Sequence, residues 1–237
     1  MNETNQQDVT YGWYGKSPAA GDFVSRRLPR AAIAVLDGWF QSGMTALRDR
    51  APVEWPTYYA NAPVWRALLP SQIVVPQPCL AIVAASSDRV GRRFPFCIVA
   101  PLSPQSNGWM RSVAQGGDEL SRLVEQSLRM PLHGDEIDRR LDEIASRVRD
   151  ESGARDSDDM GNVLDDLAIE SGDELATVPL TAQSTFPWPD LAQRFEPAGT
   201  ASYWWASAKR ASAGFVHRGA LDAELFVTLF GEARRPK

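Results

Sequence analysis

The chain has 237 residues, of which 43% are hydrophobic and 23% are charged, values typical of a globular protein with a buried core. Its formal net charge of −5 and the scattered positions of its basic residues argue against nucleic-acid binding. The sequence has no run of about 18 uncharged apolar residues, so membrane insertion is not expected. The polar N-terminus lacks the apolar segment of a secretory signal, which predicts a cytoplasmic protein.

The length predicts a single folded domain over residues 9–237, preceded by a disordered tail at 1–8. Residues 150–174 hold ten acidic side chains and one basic side chain. Within this acidic stretch, residues 150–160 show no apolar periodicity, and we therefore expect a mobile loop there.

The first predicted elements are a strand, a helix and an irregular stretch, in this order along the chain. Residues 9–14 favour a strand, which the sequence GKSP at 15–18 is expected to break. Residues 31–47 favour a helix, because large apolar side chains recur every three or four positions. Three prolines predict irregular structure over 52–63, and residues 64–69 fit either a short strand or a helical turn.

Two apolar runs predict a buried hairpin in the middle of the chain. The runs cover residues 79–86 and 94–102, and turn-forming residues separate them. This pairing places Cys79 and Cys97 on neighbouring strands, where we expect buried free thiols. The spacing of the cysteines and of the two histidines does not match a zinc site, so no metal is predicted.

The second half of the chain predicts helices first and then strands. The helices cover 118–130, 135–148 and 163–168, the strands cover 202–208 and 213–216, and a closing helix covers 221–230. Paired strands followed by helices and by further strands indicate an α+β fold, with layered helices flanking a mixed, mainly antiparallel sheet.

Motifs that would indicate catalysis are incomplete. The sequence Gly15-Lys16-Ser17 lacks the upstream glycine of a phosphate-binding loop. Residues 156–167 lack the bidentate Glu that would end a calcium loop, and the chain has no Gly-x-Ser-x-Gly nucleophile turn. We therefore predict no catalytic residue and no cofactor. The alternative that stays open is a small nucleotide-binding or hydrolytic enzyme that uses Lys16, Asp22 and Asp88.

Three unusual segments combine tryptophans with turn glycines. The first is GWYGKSPAAGDFVSRRLP, the second is APVWRALL with SSDRVGRRFPF behind it, and the third is SYWWAS followed by a strand and a helix. Tryptophans and turn glycines at such spacings specify particular packing and turns, and positive φ is expected at Gly15 and Gly91. In this order, the segments closely resemble the TagF family, also called ImpM, which is associated with bacterial type VI secretion.

The resemblance implies a longin-like core and a cytoplasmic, non-enzymatic protein that represses type VI secretion post-translationally. It also implies a link to the forkhead-associated (Fha) scaffold protein and to the threonine phosphorylation pathway, in which the phosphatase PppA opposes a kinase. The charged residues of the two glycine-bearing motifs are the candidate protein-binding residues: Asp22, Arg26, Arg27, Asp88, Arg89 and Arg92. For the two aspartates, turn capping is an equal alternative.

Overall fold

A seven-stranded sheet runs through the part of the chain that the computed structural model describes, residues 10–103, 109–153, 194–206 and 214–231. Its strands are β1 Gly12–Lys16, β2 Phe23–Arg26, β3 Trp65–Leu69, β4 Cys79–Ala84, β5 Phe96–Pro101, β6 Ala201–Ala206 and β7 Phe215–Arg218. The helices of the same residues are α1 Arg30–Arg50, α2 Trp55–Asn61, α3 Trp109–Arg129, α4 Gly134–Gly153 and α5 Ala223–Phe230.

The strands are arranged in the order β2-β1-β5-β4-β3-β6-β7, and every described pairing is antiparallel. The predicted α+β fold is therefore confirmed. The central strands β4 and β5 are buried at all but one of their positions. Both faces of the sheet are covered by helices, which explains why these two strands are continuous apolar runs instead of alternating ones.

Two hydrophobic cores lie on opposite faces of the sheet. On one face, α1, α2 and α5 contribute Leu36, Tyr59 and Phe226 to a core that also contains Trp204 of β6. On the other face, the helices α3 and α4 pack against Trp13, Leu80, Ile82 and their neighbours. Successive residues of one strand belong to different cores because side chains alternate across a pleated sheet.

The predicted hairpin and its cysteines are confirmed. β4 pairs with β5, with Cys79 opposite Pro101 and Val83 opposite Cys97. Both thiols are free and fully buried. Burial raises the pKa of the Cys79 thiol to about 12 and raises the pKa of the Cys97 thiol as well. Both side chains therefore stay neutral and act as small core residues.

Four local predictions are wrong. α3 begins at Trp109, nine residues before the predicted start at residue 118, and its added turns bury Val113. β1 does not stop at residue 14 but continues through Gly15 and Lys16, because glycine can take the φ of +131° that this position requires. α2 forms within the stretch predicted as irregular, with a proline in its first turn, where no backbone N–H is needed. α4 extends to Gly153, into the predicted loop, because each added residue completes a backbone hydrogen bond. The rest of that loop and the helix expected at 163–168 lie outside the described residues.

Candidate protein-binding site

A buried ion pair joins the end of β1 to the loop between β4 and β5. The Nζ of Lys16 lies 3.0 Å from the Oδ2 of Asp88, and the Asp88 side chain has no solvent exposure. The same carboxylate accepts hydrogen bonds from the Nε of Arg92 at 2.6 Å and from the backbone N–H groups of Val90 and Arg92 at 3.1 and 2.9 Å. The carboxylate of Asp88 therefore caps its own turn and is fully occupied by protein donors.

The loop at 85–95 and the loop at 17–22 are tied together around this pair, and we call them the paired loops. The Nη2 of Arg92 donates a hydrogen bond to the carbonyl of Gly21 at 2.6 Å. The backbone N–H of Arg89 donates to the carbonyl of Ala20 at 2.8 Å. Two segments that are about 70 residues apart in sequence thus form one cross-linked structure.

Opposing influences set the pKa of Asp88. Burial acts to raise this pKa, but the backbone N–H of Arg92 and the cationic groups of Lys16 and Arg92 outweigh it. The net result is a pKa well below the usual value for aspartate. The carboxylate therefore stays charged at neutral pH.

We expect the stability of the wild-type protein to fall more steeply in acid than that of an Asp88→Asn variant. The depressed pKa means that the unfolded state binds a proton at Asp88 before the folded state does. The stabilisation is thus complete above about pH 4, the usual aspartate value, and is lost as the pH falls towards the folded-state pKa. Urea unfolding at a series of pH values measures the two slopes. Parallel profiles for the two proteins would contradict this role of Asp88.

Four residues of the paired loops and of the adjoining end of β2 form an exposed surface, which we call the loop surface: Asp22, Phe23, Arg89 and Val90. Phe23 is 47% exposed and Val90 is 68% exposed, so this surface carries two large apolar side chains. Phe23 is nevertheless held in place, since its ring packs edge-on against Phe94 and the Nζ of Lys16 lies 4.9 Å from its centroid. Within the described residues, the Arg89 side chain makes no hydrogen bond or ion pair.

Arg26 and Arg27 lie at the far end of β2 and are bound to α4. Arg26 contacts Asp135 and Asp138 at 2.6 and 2.8 Å. Arg27, which has a φ of +60°, binds both oxygens of Asp142. Hydrogen bonds to these carboxylates raise the pKa of each guanidinium. The structure thus brings Arg89 and Arg92 together with the two aspartates and places Arg26 and Arg27 in a separate ion-pair ladder.

Of the three residues that an enzyme was expected to use, only Lys16 and Asp88 are in contact with each other. Lys16 and Asp88 pair, but the carboxylate of Asp22 is exposed and accepts the backbone N–H of Phe23 at 2.8 Å. The carboxylate of Asp88 has no solvent exposure and is bound by Lys16 and Arg92. Among the described residues, no group of His, Cys, Asp and Glu side chains is arranged to hold a metal ion. The arrangement is that of a structural ion pair.

The sequence did not single out Phe23 and Val90 as site residues. Val90 lies among the turn-forming residues between the two apolar runs, and Phe23 follows Asp22 in the first motif. Only the tertiary structure shows that both side chains are exposed on the same surface.

The family model described as TagF N-terminal domain, type VI secretion system-associated, matches residues 12–144, a range that includes both paired loops. This match spans more than half of the chain. The chain thus contains the domain of a type VI secretion-associated protein. It belongs to the TagF family.

A comparison with solved structures shows the same fold in a bacterial protein. The crystal structure of PA0076 from Pseudomonas aeruginosa PAO1 superposes with a TM-score of 0.64 and 23% sequence identity, covering 96% of this chain and 97% of that chain. At this identity, the likeness establishes the fold. A comparison with curated proteins finds no significant match. None of the described helices combines the length and the apolar character that crossing a bilayer would need.

Proposed function

We propose that this protein represses type VI secretion post-translationally, in the cytoplasm, by binding a partner protein through the loop surface. The proposed partner is the forkhead-associated scaffold, which links the repression to the threonine kinase and phosphatase of the secretion pathway. Membership of the TagF family supports the secretion association. The family resemblance of the sequence motifs suggests that the effect on secretion is repression and that the partner is the forkhead-associated scaffold.

One observation carries the choice of surface: the buried Lys16–Asp88 pair cross-links the two motif loops and presents exposed apolar groups beside Arg89, whose side chain has no partner among the described residues. Phe23 and Val90 offer apolar area, and Arg89 offers five N–H donors in a planar fork. A surface that is fixed before binding loses less conformational entropy on association. Aromatic and arginine side chains are also the residues that most often dominate binding energy at protein interfaces.

The proposed activity is binding and not catalysis. Lys16 and Asp88 are the pair that an enzyme would need, and here their charged groups bind each other and Arg92 and so hold the loops together. The groups that remain accessible, Phe23, Arg89 and Val90, suit contact with another protein surface better than bond-making chemistry.

A secretion assay in cells tests the repressor function. Deleting the protein should raise the amount of secreted tube protein, and overexpression should abolish secretion. Complementation with Arg89→Glu should fail to restore repression. Complementation with Arg50→Ala should succeed, because Arg50 pairs with Glu224 on another part of the surface, where exposed ion pairs contribute little.

The controls distinguish an error in the repressor assignment from an error in the proposed binding surface. Both variants must accumulate to wild-type levels and melt cooperatively. Unchanged secretion after both deletion and overexpression would refute the repressor assignment. Full repression by Arg89→Glu would leave the assignment in place and remove Arg89 from the binding surface.

A further inference from the structure

Trp55 lies beside the paired loops with two arginines against its ring. The Cζ of Arg48 lies 4.9 Å from the ring centroid, and the Cζ of Arg93 lies 5.4 Å from it. Arg48 comes from the last turn of α1, and Arg93 lies at the base of the loop between β4 and β5, where it bridges to Ser87. Three separate segments thus converge on one indole ring.

The position of the Trp55 ring is fixed by its contact with the buried side chain of Tyr59. Trp55 packs against Tyr59, with their ring centroids 6.4 Å apart. Tyr59 is buried, and its hydroxyl accepts the backbone N–H of Ser86 at 3.0 Å and donates to the carbonyl of Ser86 at 3.2 Å. The indole is therefore anchored to the same loop that carries Arg89 and Arg92.

The hydrogen-bond donors of this cluster are unused. Within the described part of the chain, neither guanidinium donates a hydrogen bond or contacts a carboxylate, and the indole N–H of Trp55 donates none either. The acidic side chains nearest in sequence, Asp49 and Glu54, are exposed and pair with neither arginine. By contrast, Arg50, two residues after Arg48, is paired with Glu224.

Stacking on an aromatic ring occupies the face of a guanidinium and leaves its N–H groups free at the edge. It also restricts the rotamers of a long side chain, so less entropy is lost when that side chain binds a ligand. Each guanidinium held in this way can bind the two oxygens of a carboxylate or a phosphate through paired hydrogen bonds.

We propose that Arg48, Trp55 and Arg93 form an oxyanion-binding site that receives a carboxylate or phosphate group of the partner protein. This proposal rests on the proposed function in that the oxyanion belongs to a bound protein segment. It adds an anchoring point next to the loop surface and states the chemistry of the partner: an acidic or phosphorylated segment.

Peptide binding to the purified full-length protein tests the site without the partner. The probes are fluorescein-labelled hexaglutamate, a serine-glycine peptide with one phosphoserine, and hexaglutamine as the neutral control, followed by fluorescence anisotropy at low salt. We expect hexaglutamate or the phosphopeptide to bind, and the tighter of the two identifies the source of the oxyanion. We expect hexaglutamine not to bind.

The variants decide whether the binding belongs to this site. Arg48→Ala and Arg93→Ala should each raise the Kd at least tenfold. Arg48→Lys should also weaken binding, because it keeps the charge and loses the planar fork. Arg50→Ala is the matched control on the same helix and should change the Kd less than twofold. Arg48 is exposed at a helix end, so its variant is expected to fold even if the Arg93 variant does not.

Two outcomes would overturn the site: no binding of either acidic peptide at millimolar concentration, or an equal loss of binding in Arg50→Ala. Neither outcome affects the repression assay or the role of Arg89. Conversely, a failed repression assay with intact, Arg48-dependent peptide binding would refute the proposed function and leave the oxyanion site standing.

Discussion

A Gly15→Ala variant is expected to lose at least about 3 kcal/mol of stability, combining backbone strain and overpacking. Gly15 has a φ of +131°, which side-chain-bearing residues rarely adopt. A Cβ at this position would lie 2.0 Å from the carbonyl oxygen of Pro95 and 2.9 Å from the Cα of Phe96. Both contacts are backbone atoms of the neighbouring strand region, which cannot move aside without breaking the β1–β5 pairing. Urea denaturation measures the change in the midpoint.

Gly91→Ala is the control for this experiment. Gly91 also has a positive φ, +86°, but a Cβ there meets no atom within 4 Å. Only the conformational cost applies, so we expect a loss of about 1 kcal/mol. The sequence predicted positive φ at both glycines, and the structure confirms it. Equal destabilisation by the two variants would contradict the steric argument at Gly15.

A Gly43→Ala variant is expected to cost about 2–3 kcal/mol, because Gly43 is where α1 crosses α5. A Cβ there would lie 2.1 Å from the Cγ and 2.3 Å from the Cβ of Phe226, a fully buried side chain. The Cβ of Phe226 is fixed to the α5 backbone, so relief of this contact requires the two helices to separate. That separation would loosen the aromatic contacts that Trp39 and Phe40 make with Phe226.

Gly38→Ala, on the same helix, should have the opposite effect. Gly38 is exposed, and a Cβ there meets nothing within 4 Å. Alanine is the better helix former, so this variant should gain up to about 1 kcal/mol. Thermal unfolding of the two variants side by side provides the measurement. A stabilising Gly43→Ala would mean that α1 and α5 do not approach each other this closely.

The elements that could be predicted from the sequence are those that pack against a core along their whole length, because burial imposes a regular apolar pattern on them. α1 and the β4–β5 hairpin are long and regular, and their buried residues recur at the helical spacing or run unbroken. The short elements β2 and α2 carry no such signal. β2 is a half-exposed edge strand of four residues, and α2 begins with residues that also favour loops. β2 and α2 are stabilised by contacts with distant parts of the chain, which a local sequence pattern does not show.

The sequence singled out the two loops that the structure joins, but it could not show which of their charged side chains pair with each other. Arg26 and Arg27 are adjacent to the glycine-bearing motif, yet they turn to Asp135, Asp138 and Asp142, more than 100 residues later. Asp88 and Arg92 form an ion pair with each other, and the Asp88 side chain is buried. Long-range pairing of this kind depends on the strand order, which composition and periodicity do not determine.

Binding of this protein to the forkhead-associated scaffold can be measured by titration calorimetry on purified proteins. We expect a direct complex whose Kd rises at least tenfold in Arg89→Glu and in Phe23→Ser, while Arg50→Ala binds like the wild type. Circular dichroism would first confirm that each variant is folded. Failure of the purified scaffold to bind would refute the proposed partner, and wild-type affinity for both variants would refute the loop surface as its binding site.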